Sequence, residues 1–293
     1  MHGATLTAMK TATITSFIAA AVALALSDPG ALAAAAPTRI VSINLCADEL
    51  LLTLADPGQI AALSPYATDQ TMSVTADAAA KFRHDAAEAE TVVDLHPDLV
   101  LAGRFTKRAT RDMLTRLGYR LELLDAARSI DQSVAQIREV AALVGHPDRG
   151  EALIASIDAA RKAAIGAAQG RPHPTAAIYQ RRGYVTGAET LSGELLSLAG
   201  FVNDGGALAG KTGGFVSLEK LVATRPDFIV VSSPDPRAVD QGTALLAHPA
   251  LAALYPLSRR IVLPERLTVC GGPSLPAALG QLTREAARGE HNP

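Results

Sequence analysis

The chain reads as an α/β protein of two lobes, each built around a parallel-type sheet and joined to the other by one long helix. Three observations predict this. The stretch ETVVDLHPDLVL at 90–101 returns as EKLVATRPDFIV at 219–230, with Glu90, Val93, Pro97 and Asp98 matched by Glu219, Val222, Pro226 and Asp227, each displaced by 129 positions (219 − 90). Each copy has the form of a short helix with an acid in its first turn, where the helix dipole favours one. A Pro-Asp break and an aliphatic run suited to a buried parallel strand follow. Between the copies, Pro147 opens an Ala-rich helical segment that Gly170-Arg171-Pro172 closes. About 20 helical residues span roughly 30 Å, enough for a rigid strut. Because parallel strands need helical crossovers, such units imply two Rossmann-like lobes with a ligand cleft between them.

Taken in order, residues 39–43 form the first strand, and DELLLTLAD from Asp48 offers a capping acid and an apolar helix face. A short strand over 60–63 exits into Ser64-Pro65-Tyr66, and 71–88 is irregular and polar with His84 near its end. The first repeat copy then supplies a helix and a strand, with Arg104 and Phe105 in the loop beyond. A helix over 109–117 ends at Gly118, a strand follows at 121–124, and 130–144 is an amphipathic helix. After the strut come a strand at 175–179, a polar loop through Arg181, Arg182 and Tyr184, and a helix at 191–199. Glu194-Leu195-Leu196 in that helix echoes Glu49-Leu50-Leu51. The Gly-rich stretch 205–214 reads as flexible loop before the second repeat copy. His248 falls in a turn and short helix, 260–263 is the last strand, and TVCGGP at 268–273 precedes a terminal helix over 275–288. The expected organisation is a leader at 1–36, a first lobe at 37–128, a helical segment at 129–170 and a second lobe at 171–293.

With 293 residues, 48% hydrophobic, 19% charged and a net charge of −2, the chain has material for two cores and no electrostatic footprint for nucleic acid. Lys10, the apolar run 14–26 and the small residues up to Pro37 have the layout of a secretory signal, with cleavage expected at 33–36 and Met9 an alternative start. About 13 apolar residues fall short of the roughly 20 that span a bilayer. The only cysteines, Cys46 and Cys270, would then face an oxidising compartment.

RIVSINLCADELLLTLAD, ETVVDLHPDLVLAG, SLEKLVATRPDFIVVSS and the CGGP loop together resemble the periplasmic solute-binding proteins of ABC importers for iron-siderophore complexes, vitamin B12 and haem. The likeness covers about 39–288. It implies two lobes on one long helix holding a metal chelate in the cleft, with no chemistry, cofactor or resident metal of the protein's own. It also implies an ABC permease and ATPase in the inner membrane as partners. A surface Glu on each lobe docks on permease arginines in that family, and those positions match Glu90 and Glu219.

Ligands of parallel sheets sit beyond the carboxyl ends of the strands. The loops there carry Cys46, Tyr66, His84, Arg104, Tyr184, Arg266 and Cys270. The resemblance to B12-binding members implies aromatics at Tyr66, His84 and Tyr184, and a further one near Gly213 where this chain has none. Tyr66 and Tyr184 suit stacking on a flat chelate, a haem would take Tyr or His on its iron, and Arg104, Arg181 and Arg182 suit its anionic groups. The histidines form no metal-ligand spacing. Cys46 and Cys270 can bond across the cleft, stay free or contact ligand; a permanent bond fits transport poorly, so unpaired or ligand-contacting cysteines are expected. An exported α/β enzyme is the alternative class, but GxSxG, HExxH and a phosphate-cradling glycine loop are all missing.

Overall fold

The computed structural model describes residues 35–232, 246 and 248–290; all but the last two residues of the expected leader lie outside these. The aliphatic runs form two four-stranded parallel sheets. In the first, β1 (Ile40–Ser42), β2 (Ile60–Ala62), β3 (Leu99–Gly103) and β4 (Leu121–Leu124) lie in the order β2-β1-β3-β4. In the second, β5 (Thr175–Ile178), β7 (Val202–Asn203), β9 (Phe228–Val231) and β10 (Arg260–Val262) lie in the order β10-β9-β5-β7. Read from the other edge, this is the same order of first, second, third and fourth strand. The chain therefore folds the same sheet twice.

The sequence repeat carries this duplication into the register. Leu99 pairs with Ile40 in the first sheet, and its counterpart Phe228 pairs with Ala176 in the second. Helices α3 (Ala89–Asp94) and α9 (Leu218–Thr224) precede those strands and stop in the same way. His96 (φ 45°) and Arg225 (φ 52°) are left-handed at equivalent positions. Each stands before a proline, which disfavours right-handed helix for the residue ahead of it.

The repeated Asp has a structural task that the pattern alone did not reveal. Asp98 accepts hydrogen bonds from Thr38 N (2.6 Å), Thr38 Oγ1 (2.9 Å) and Arg39 N (3.0 Å), and Asp227 accepts from Thr175 N (2.9 Å) and Thr175 Oγ1 (3.0 Å). Each thus ties down the start of its lobe's first strand. Partial burial pushes the Asp98 carboxyl up, but the Thr38 and Arg39 donors outweigh it and hold the group below its ordinary range. Its contribution is present above the unfolded pKa and fades as pH falls through the lower folded value. Asp98→Ala is expected to cost about 1 kcal/mol, read by urea denaturation at pH 7, and less at acidic pH. Equal cost at both pH values would refute this role.

The helices join the sheets into one core. Asn44 caps α1 (Leu45–Leu54), its side chain accepting from Cys46 N and Ala47 N. Asp48, expected as the cap, is instead fully buried inside the helix. Pro147 starts the 22-residue strut α6 (Pro147–Ala168), which packs on α5 (Ile130–Leu143) and on the terminal α11 (Leu275–Glu290). A Cβ on Gly150 would lie 2.6 Å from Ala141 Cβ, so the close approach of α5 and α6 requires glycine there. Leu50, Ile137, Ile157, Leu195 and Leu279 belong to one buried cluster, which reaches across α1, α5, α6, α7 (Leu191–Leu198) and α11.

The Gly-rich stretch is ordered, contrary to expectation. Gly205–Ala209 is helical (α8), and β8 (Gly213–Phe215) pairs antiparallel with β6 (Tyr184–Thr186). Glycine is depleted in strands, so its density concealed this two-stranded ribbon.

Candidate functional site

The loops at the carboxyl ends of the strands carry the predicted site residues, and the two lobes are tied together beneath them. Cys46 and Cys270 are disulfide-bonded, with their Cα atoms 5.3 Å apart. This corrects the expectation of unpaired or ligand-contacting thiols. That expectation held that a permanent bond across the cleft fits transport poorly, whereas several further bonds also hold the second lobe to the earlier half of the chain. Ser133 Oγ on α5 accepts from Gly272 N (2.7 Å), and Arg266 donates to Gln70 O (3.4 Å). Glu194 accepts from Ile130 N (2.8 Å), and Arg128 donates to Glu189 O (3.2 Å). The Glu194 echo of Glu49 thus marks two helices that each follow the first strand of a lobe, with different partners.

On the first lobe, Tyr66 lies in the turn beyond β2 and is 59% exposed. Its backbone N donates to Ser64 Oγ (3.3 Å). Lys107 is ion-paired with Glu88. His84 is exposed, and its Nδ1 lies 2.8 Å from Phe82 O within its own loop. Arg104 forms a fork with Asp125 (Nη2 to Oδ2 2.9 Å), which holds the Asp125 carboxyl below its ordinary range. Phe105, next to it, is 87% exposed.

On the second lobe, the β6–β8 ribbon extends from the end of β5 and sets Tyr184 directly across from Phe215. Their rings meet edge to face at 5.5 Å and 79°. Phe215 is 75% exposed. An aromatic near Gly213 cannot be accommodated: Gly213 has φ 105°, and a Cβ there would lie 2.8 Å from Tyr184 Oη. Phe215, two residues on, is the exposed aromatic of this ribbon. It escaped the sequence reading because its stretch looked like loop.

Three cavities accompany these loops. One of about 630 Å³ is lined by Arg104, Phe105, Asp125, Arg128, Gln132 and Glu139 among others. A second, of about 260 Å³, lies between Cys46, Asp125 and Arg128 on one side and Thr190, Leu191 and Cys270 on the other. The third, of about 170 Å³, sits at the ends of β5, β9 and β10 beside Gln180, Arg181 and Glu265. Arg104 and both cysteines line the first two, while Tyr66, His84, Tyr184 and Arg266 line none of the three. Among the described residues, no group of three His, Cys, Asp or Glu side chains is placed to hold a metal ion.

The proposed docking acids hold equivalent places. Glu90 is the second residue of α3 and Glu219 the second of α9, and both are exposed. The Glu219 carboxyl is held below its ordinary range by its own backbone N–H and the Ser217 hydroxyl.

Among solved structures, the chain is similar to the periplasmic heme-binding protein RhuT from Roseiflexus sp. RS-1 at 23% identity and a TM-score of 0.71, over 86% of this chain and 98% of that one. It is similar to the periplasmic heme-binding protein BhuT in complex with two hemes at 25% identity and a TM-score of 0.69, over 86% and 98%. It also resembles the periplasmic vitamin B12 binding protein BtuF of Vibrio cholerae at 16% identity and a TM-score of 0.65, over 87% and 98%. A search of curated proteins finds no match. The family model described as periplasmic binding protein matches residues 40–256, which takes in strands β1 to β9 and stops short of β10. The chain belongs to the periplasmic binding protein family.

Proposed function

We propose that the protein is the substrate-binding component of an ABC importer, exported to the periplasm, that captures a metal chelate in the cleft between its lobes without transforming it. One observation carries this reading. The chain has no Trp and few aromatics, yet Tyr66, Phe105 and Phe215 are exposed, and all three stand at the carboxyl ends of the sheets. Aromatic faces left in water at that place suit a flat, apolar ligand with polar edges. Arg104, Lys107, Arg181 and Arg266 stand in the same loops and suit anionic groups on its rim.

Haem is the first ligand to test, because two of the similar structures are haem-binding by name and Tyr66 offers a phenol oxygen, a donor type that ligates haem iron. Cobalamin and ferric siderophores follow. The test is the absorption spectrum and metal content of protein purified from its own periplasm, then titration with haemin, cobalamin and ferric siderophores. A coloured one-to-one complex is expected. Tyr66→Ala is expected to weaken binding by at least about tenfold, or 1.4 kcal/mol. Colourless protein that binds none of the three, or turnover of any of them, would overturn the reading.

A further inference from the structure

The loop that carries Tyr66 is held at both ends by two adjacent buried acids. At its start, Asp48 accepts from Ser64 N (3.1 Å) and Ser64 Oγ (2.5 Å). At its end, Glu49 Oε1 accepts from Val74 N (2.8 Å). Both acids are fully buried, and Glu49 Oε2 has no hydrogen-bond partner among the described residues. Between the two anchors lie Tyr66 and Gln70, the residue whose carbonyl meets Arg266 of the second lobe. We infer that Asp48 and Glu49 are positioning residues that clamp both ends of the 64–74 loop, and that their ionisation releases it. The link to ligand binding rests on Tyr66 being a cleft contact; the clamp itself does not.

The energetics follow from burial. A carboxylate inside a protein loses hydration, and hydrogen bonds recover only part of that loss. Burial pushes Asp48 up to about 7 despite the hydroxyls of Ser42 and Ser64, and the negative charge of Glu49 adds to the rise. Burial pushes Glu49 up to about 7 as well, against the donors of Val74 and Ser73. Among the described residues no cation offsets them, and Arg266, which reaches this loop, meets Gln70 O. Within the loop and on α2 (Ala76–Ala79), Asp69 turns to Thr71 and Asp77 accepts from Gln70. On α5 and α6 the charges pair away from the acids, as Arg138–Glu151, Arg161–Asp131 and Arg149–Asp56. Two adjacent like charges would therefore each lie dry above neutrality, and lifting the loop admits water to both.

The linkage has a definite sign. Each acid binds its proton more tightly with the loop closed than with it open and hydrated, so closure is favoured at low pH and weakens as pH rises through about 7. Between pH 6 and 8 each carboxyl is expected to raise the open fraction by about tenfold.

Amide hydrogen exchange of the ligand-free, full-length mature protein reads this directly, with intrinsic rates corrected for pH. Protection of Ser64 and Val74 is expected to fall steeply from pH 6 to pH 8, while protection in β3 stays constant. The Asp48→Asn and Glu49→Gln double variant, which keeps the shapes and removes the charges, is expected to lose that pH response. Glu49→Gln alone is expected to lose about half of it on a logarithmic scale, and serves if the double variant does not fold. Wild-type protection that ignores pH, or an unchanged response in the variants, overturns the inference. A parallel haemin titration is expected to weaken over the same pH window; failure of haemin to bind would count against the chelate assignment and leave the exchange result standing.

Discussion

Replacing Cys46 and Cys270 together by serine is expected to destabilise the protein by about 3–5 kcal/mol and to lower its melting temperature by roughly 10 °C. The bond closes a loop of sequence separation 224, so it removes a large amount of chain entropy from the unfolded state. Its position gives it a second effect. It links the start of α1 to the loop before α11, next to the Gly272–Ser133 hydrogen bond and above the core that runs through α1, α5 and α11. A cleft fixed in this way keeps its contact loops in register before ligand arrives, and preorganisation of that kind slows dissociation. The double serine variant is therefore expected to release haemin faster as well as to melt earlier, and reductant is expected to reproduce both changes in the wild type. Unchanged melting in calorimetry would refute the stapling role; earlier melting with unchanged release would confine the bond to stability.

The sequence showed the scaffold clearly because the scaffold is repeated. Four matched positions at one displacement identified α3-β3 and α9-β9, and Pro147 with Gly170 bracketed the strut within a residue or two of α6. Those signals are local: a proline, an acid in a first turn and an aliphatic run each act on their own neighbours. What remained hidden depends on distant partners. Asp48 looks like a helix cap, since acids are common there; only the fold reveals that Asn44 holds that place and that Ser64 has come to meet the buried carboxyl. Two cysteines so far apart in sequence carry no information on pairing until Gly272 is seen bonded to Ser133. Phe215 stands beside Tyr184 because β6 and β8 pair, and its flanking glycines argued against any strand. Tyr66 and Arg104 do lie in loops after strands, as expected, because strand ends are legible and the loops after them inherit that legibility. His84 was placed in the same region, and its ring Nδ1 meets Phe82 O within its own loop.

Alanine at both Glu90 and Glu219 is expected to abolish uptake while leaving ligand binding in solution intact. The two acids are equivalents under the repeat, both second residues of short helices and both exposed, so they would address two like sockets on a permease with two like halves. Within the protein each contributes little, about 0.3–1 kcal/mol through the helix dipole, and Ser217 already caps α9. Across an interface, truncating one partner of a buried charge pair costs about 2 kcal/mol or more, so losing both weakens docking by roughly a thousandfold. Single variants are expected to fall between, and reversing the facing arginines of the permease together with Glu90→Lys and Glu219→Lys is expected to restore transport. The measurements are haemin affinity of each purified variant and uptake in cells carrying the matching permease. Equal loss of affinity in the double alanine variant would move these residues from the permease interface to the fold, and full uptake by that variant would remove them from transport altogether. Intact binding with lost uptake would place the repeated acids at the permease interface, beyond the small contribution each makes to its own helix.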